Sequence, residues 1–243
     1  MKLQDSVALI TGASKGLGLE IARLYADRGA HLVIAARGAE SLQKAAAELR
    51  RKTEVVTLAA DVSLEAERLV KAGLDRFGPI DVLVNNASEL GPSPMPTLDS
   101  LPWREMKRIL RVNVTAPLHL TQLVLPQMRS RRSGVIINVT SDAGVEAYAG
   151  WGGYGASKAA LEHMSRVLAA ELDGSGVRVY VVDPGDMNTE MHRLAEPGVD
   201  LSGLPGPELS APAFVTLVET GTAAFGRYHA QAIATAGVVR AAS

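Results

Sequence analysis

Six short apolar runs, at residues 7–10, 31–35, 55–58, 81–84, 134–139 and 177–182, punctuate the chain, and stretches with helical spacing separate them. The runs lack the strict polar–apolar alternation of a half-exposed strand, so they read as strands buried on both faces. Such strands need helices above and below. Strand–helix repeats joined by right-handed crossovers give a doubly wound parallel sheet. The spacing predicts helices at 17–28, 39–51, 63–77, about 102–129 and 153–174, with Gly29 stopping the first and Ser63 capping the third. The expected fold class is α/β, a single domain over residues 1–243 with helices on both faces of a doubly wound parallel sheet of about seven strands.

A length of 243 residues suits one large α/β domain. The Pro- and Gly-rich stretch at 196–212 has the composition of a linker, but too little chain follows it for a second domain. It reads as a mobile loop over a site, and the expected substrate loop covers about residues 187–212. The formal net charge of -1 argues against nucleic acid or an anionic membrane surface as partner. There is no cysteine, which excludes disulfides and thiolate metal sites. His31, His119, His163, His192 and His229 show no ligand spacing, so no metal is expected. The first residues lack a secretory pattern, and no apolar run reaches the roughly 18 residues that cross a bilayer. A cytoplasmic protein is expected.

Between the first strand and the first helix lies a turn with Gly12, Gly16 and Gly18 in GxxxGxG spacing. Gly12 permits a tight turn, Gly16 lets backbone approach a pyrophosphate, and Gly18 allows close helix packing; the helix N-terminus supplies N–H donors. The second strand ends in Arg37, where an NAD-binding chain usually has an acid for the ribose 2′-hydroxyl. A guanidinium suits a 2′-phosphate instead, and Lys15 in the turn could add a second charge. Both favour NADP(H) over NAD(H). Further on, Tyr154 and Lys158 stand four residues apart, on one face of the 153–174 helix. A lysine ammonium beside a phenol favours the phenolate and lowers its pKa. Ser141 could hold a substrate oxygen against Tyr154, making a proton-transfer site for an alcohol or carbonyl.

Taken in order, these motifs resemble the short-chain dehydrogenase/reductase family, and the fold this implies is Rossmann-like. Thr11 to Gly18 is similar to the family's TGxxxGxG turn, Asp61 to its adenine-contacting acid, and Asn85, Asn86 and Ala87 to its NNAG motif. Asn113, Ser141, Tyr154 and Lys158 match its helix asparagine, its serine and its YxxxK pair. Pro184, Gly185 and Thr189 match its PGxxxT segment. The resemblance implies that Tyr154 is the general acid/base, that Lys158 lowers its pKa and binds the nicotinamide ribose, that Ser141 orients the substrate oxygen, and that Asn113 props a relay water. Cofactor-binding roles are implied for Gly12, Ser14, Lys15, Gly16, Leu17, Gly18, Arg37, Asp61, Val62, Asn86, Ala87, Tyr154, Lys158, Pro184, Gly185 and Thr189.

Ser88 stands where NNAG ends in glycine, and Asp183 precedes Pro184 where the family often has asparagine or cysteine. Residues 225–231 only loosely resemble the family's last strand. A homo-oligomer is expected, a dimer through the Asn113 and Tyr154 helices or a tetramer. The expected partner is a small apolar carbonyl or alcohol, bounded by Met187, Met191 and Leu194 on one side, Tyr148 and Trp151 on another and residues 89–96 on a third. The main reading is an NADP(H)-dependent oxidoreductase of a carbonyl/secondary-alcohol pair. The alternative is a non-catalytic NADP(H)-binding redox sensor or regulatory protein.

Overall fold

The computed structural model describes residues 1–221 and 225–236. Seven strands form one sheet among these residues: β1 Val7–Thr11, β2 His31–Ala36, β3 Val55–Ala59, β4 Val82–Asn85, β5 Gly134–Val139, β6 Val177–Asp183 and β7 Phe225–His229. Every pairing is parallel and the order is β3-β2-β1-β4-β5-β6-β7. The six runs read from sequence are β1 to β6, and the loosely matched segment supplies β7.

Helices cover both faces, as double burial of the strands requires. On one face α1 (Gly16–Asp27), α2 (Ala39–Leu49) and α8 (Pro212–Thr220) bury Ile21, Leu42 and Phe214 against Ile10, Ile34 and Val84. On the other, α3 (Ala66–Phe77), α5 (Ala116–Arg131) and α6 (Gly152–Glu171) enclose Leu69, Val124 and Met128 against Leu9, Leu83 and Ile136. Each such side chain contributes about 1.5–3 kcal/mol on burial. Two short helices, α7 (Glu190–Ala195) and α9 (Ala230–Ala236), follow β6 and β7.

Two expected elements differ. The third helix begins at Ala66 and Ser63 does not cap it. Ser63 instead donates its amide and its hydroxyl to Asp61 Oδ1, at 2.9 and 2.6 Å. The long helix expected at 102–129 is α4 (Trp103–Leu110), a π-helical turn at Arg111–Thr115, and then α5. Pro117 gives the local reason. It has no N–H for the carbonyl of Asn113, four residues earlier, so the regular ladder loses a bond at this point. The turn leaves Asn113 facing inward, 1% exposed.

The order reverses between β1 and β4. In open α/β sheets, ligands bind beyond the strand C-termini at such a switch point. The loops after β1, β4, β5 and β6 meet there.

Candidate active site

A cavity of about 830 Å3 opens over these strand ends. Of the catalytic and cofactor-binding residues expected from sequence, only Gly18 and Asn113 lie off its wall.

The turn after β1 is built against the end of β4. Thr11 Oγ1 accepts the amides of Asn86 and Ala87, both at 3.0 Å, and Asn86 Nδ2 donates to the Thr11 carbonyl at 2.9 Å. Gly12 has φ +68°, and a Cβ there would lie 2.8 Å from Asn86 Nδ2. A Cβ on Gly18 would come within 2.5 Å of the Gly12 carbonyl oxygen. Only glycine lets the turn close this tightly, so a cradle of bare backbone faces the cavity at the start of α1. These residues fit a dinucleotide pyrophosphate. Asp61 lies further along the wall. Burial pushes its carboxyl up, but the Ser63 hydrogen bonds with Arg111 and Arg37 outweigh this and hold it below the usual carboxylate range.

The two cations expected from sequence to meet a 2′-phosphate both line the cavity, each paired with an acid that no sequence motif marks. Arg37 Nη1 lies 3.0 Å from Glu89 Oε2, and Lys15 Nζ lies 2.7 Å from Glu190 Oε2. Arg108 also approaches Glu89, at 3.4 Å. Glu89 is 9% exposed. Its place after Asn86 and Ala87 is visible in the sequence; its reach to Arg37 depends on the loop path.

Asn113 is a clamp. Its Nδ2 donates to the Glu89 carbonyl and to Ser157 Oγ, both at 2.9 Å, and its Oδ1 accepts the Glu89 amide at 2.7 Å and the Ser88 hydroxyl at 3.2 Å. It ties the loop after β4 to α6. Ser88, the departure from NNAG, adds one of these bonds.

Tyr154 and Lys158 sit on the inward face of α6, both buried. Lys158 Nζ donates to the Val139 carbonyl at 2.8 Å and lies 5.3 Å from the centre of the Tyr154 ring. Trp151 meets that ring edge-on, with 5.9 Å between centroids. The expected lowering of the phenol pKa is not what this arrangement gives. Burial pushes Tyr154 up and Asp183 and Asp142 add to the rise, while the Ser88 and Ser141 hydroxyls pull the other way. Lys158 is brought down to about 8 by burial, with Glu162 and Asp183 opposing.

Ser141 lies at the start of the loop after β5. Its hydroxyl donates to Asp142 Oδ1 at 2.8 Å, and Tyr148 donates to Asp142 Oδ2 at 2.8 Å. Tyr148 is thus a prop for Asp142 and does not line the cavity, contrary to expectation. Burial pushes Asp142 up, but these hydrogen bonds, the Ala143 amide and Arg227 hold it low. The remaining apolar walls fall where expected. Met187, Met191 and Leu194 line one side, Trp151 another, and Leu90 and Gly91 a third. Ser93 donates to the Leu194 carbonyl at 2.6 Å, joining two of these walls. The wall takes residues up to Ala195 and Pro207 from the expected 187–212 loop; residues 196–206 do not line it.

A doubly wound sheet, a glycine cradle at its switch point and a Ser–Tyr–Lys set across one cavity define a Rossmann-type oxidoreductase. The short chain dehydrogenase family matches residues 6–199, and the chain belongs to that family. A 2-(R)-hydroxypropyl-CoM dehydrogenase from Xanthobacter autotrophicus is 34% identical over 218 residues, covering 86% of this chain and 87% of its own. Among solved structures, a short chain dehydrogenase from Pseudomonas syringae matches with a TM-score of 0.87 and 31% identity, covering 94% of this chain and 96% of its own. L-sorbose reductase from Gluconobacter frateurii, complexed with NADPH and L-sorbose, matches with a TM-score of 0.82 and 30% identity, covering 94% and 97%. No described helix is long and apolar enough to cross a membrane.

Proposed function

We propose that this oxidoreductase interconverts a small apolar ketone and its secondary alcohol, with NADP(H) as cofactor and Tyr154 as general acid/base. The observation that carries the reading is that Tyr154, Lys158 and Ser141 share one cavity with the glycine cradle. NADP(H) would supply or accept the hydride at the substrate carbon. Gly12, Ser14, Gly16 and Leu17 would hold the pyrophosphate end. Asp61, Val62, Asn86 and Ala87 would border the adenosine, and Pro184, Gly185 and Thr189 the nicotinamide end. Arg37 and Lys15 would face the 2′-phosphate, exchanging Glu89 and Glu190 for it. L-sorbose reductase, which carries NADPH in its structure, supports that preference by likeness.

A phenol is neutral at pH 7 and burial raises its pKa further, so Tyr154 would carry the proton that a carbonyl oxygen takes up on reduction. Lys158 lies against the ring to balance the charge that remains on Tyr154. Met187, Met191 and Leu194 would set an apolar wall beside the substrate. Exposed Leu118 on α5 and Val167 on α6 suit a homo-oligomer formed through these helices. NADPH oxidation against a panel of ketones, 3-oxoacyl thioesters, steroids and quinones tests the activity, with NADH in parallel. On any substrate found, Tyr154→Phe should lower turnover about a hundredfold or more and leave NADPH affinity nearly unchanged. A variant that keeps most of its turnover refutes the role of Tyr154.

A further inference from the structure

Behind the site lies a buried ionic cluster centred on Arg227, whose partners include Asp183, the departure before Pro184. Arg227 stands on β7 opposite Val181 of β6, with its side chain 13% exposed. Its Nε lies 3.1 Å from Glu162 Oε1, and its Nη2 lies 3.1 Å from Asp183 Oδ2. Nη2 also donates to the Ser141 carbonyl at 3.4 Å. Both acids are deeply buried, with side chains 7% and 4% exposed. Each is held a second time: Thr140 donates to Glu162 at 2.7 Å, and the Gly185 amide donates to Asp183 Oδ1 at 2.9 Å. One guanidinium therefore reaches the three segments that carry the site: the end of β5 with Ser141, helix α6 with Tyr154 and Lys158, and the end of β6 with Pro184 and Gly185.

We propose that Arg227 is a positioning residue for the proton-transfer site, the counter-ion that lets Glu162 and Asp183 stand buried behind Lys158 and Tyr154. The inference rests on the reading of those two residues as the proton-transfer pair. Two buried carboxylates with no cation would favour the charged lysine and disfavour a charged phenolate. With Arg227 in place the three groups sum to one negative charge, which Lys158 balances when protonated. A lysine could supply the charge of Arg227. It could not span Glu162, Asp183 and the Ser141 carbonyl, which takes the planar fork of a guanidinium.

Every charged or titratable group facing Lys158 and Tyr154 enters the balance. Glu162 lies on their own helix, Asp142 follows β5, and Asp183 ends β6. Arg227 and His229 lie on β7, and Glu89 follows β4, paired with Arg37 after β2 and Arg108 on α4. His229 Nε2 stands 3.0 Å from Arg227 Nη1 and its Nδ1 3.5 Å from Asp183 Oδ2. With Nε2 accepting from Arg227, the ring proton falls on Nδ1, toward Asp183.

The test is the ionisation midpoint of Lys158, read by NMR on protein with isotope-labelled lysine and assigned from the signal lost in Lys158→Met. Arg227→Met should raise the midpoint by about one pH unit or more. Arg227→Lys should leave it within about half a unit of wild type. The double variant Arg227→Met with Glu162→Gln removes one charge of each sign and should return the midpoint to the wild-type value. If Arg227→Met does not fold, the double variant carries the test. A merely structural arginine would lower the melting temperature and leave the midpoint where it was. An unmoved midpoint in folded Arg227→Met, or a displaced one in the double variant, overturns the proposal. The titration needs no turnover, so a failure of the catalytic reading shows only in Tyr154→Phe.

Discussion

At neutral pH the Lys158 ammonium occupies a place that burial makes unfavourable for charge, and its pKa is brought down to about 8 from 10.5. That difference costs the fold on the order of 3 kcal/mol at pH 7. Lys158→Met should therefore melt higher than wild type, less about 1 kcal/mol for the hydrogen bond lost at Val139. The sign follows from proton counts. Between pH of about 8 and 10.5 the unfolded chain holds the lysine proton and the folded one does not, so wild-type stability rises with pH there. The advantage of the methionine should shrink across the same window, as denaturant midpoints at neutral pH and near pH 10 would reveal; a constant gap would refute the assignment. Arg37→Asp should shift preference from NADPH toward NADH, since a carboxylate repels a 2′-phosphate and can hold a 2′-hydroxyl. An unchanged ratio of kcat/KM for the two cofactors would remove Arg37 from that role. Tyr154 and Lys158 were legible because the helix repeat alone puts them together. Glu162 follows Lys158 by the same four residues, so the rule that found the pair also reaches the first member of the Arg227 cluster. Glu89 and Glu190 are different. Their partners lie across the cavity, and no local pattern brings them together.

Among the elements, the junction of β1, α1 and β4 tolerates the least change. Gly18→Ala would force a methyl against the Gly12 carbonyl, which is backbone and cannot swing aside. The expected cost is about 1–3 kcal/mol of stability, together with weaker NADPH binding as the cradle opens. Calorimetric melting and a fluorescence titration with NADPH would read the two effects. An alanine variant as stable and as tight as wild type would mean that the turn can relax. The strands were legible because double burial writes itself as unbroken apolar runs. The break between α4 and α5 was not, because the residues on both sides keep helical spacing. Pro117 and Pro126 both fall in the expected helix and α5 runs through the second, so a proline alone did not mark the break; only the gap left by Pro117 coincides with the inward turn of Asn113. Ser63 has the composition of a cap, yet its hydroxyl serves Asp61, since a cap and a loop brace use the same donor chemistry.

For the molecule as a whole, NADPH should act as a brace between the two halves of the sheet. At a hundred times its Kd it should add about 2.7 kcal/mol. For a domain of this size that raises the melting temperature by about 5–10 °C. NADH at the same concentration should give less, and equal shifts would argue against the preference for the phosphorylated cofactor. The strand order also has a meaning in time. β2 and β3 extend the sheet outward from β1 on one side, and β4 to β7 extend it on the other, each beside a strand already made. A chain emerging from the ribosome can thus add each strand to an existing edge and never needs to separate strands that have already paired. The glycine cradle and Asp61 come early in that order; Ser141, Tyr154 and Lys158 come late, and Arg227 follows on β7. In that order the half with the glycine cradle comes first, and β7 then sets Arg227 beside Glu162 and Asp183, which precede it in the chain.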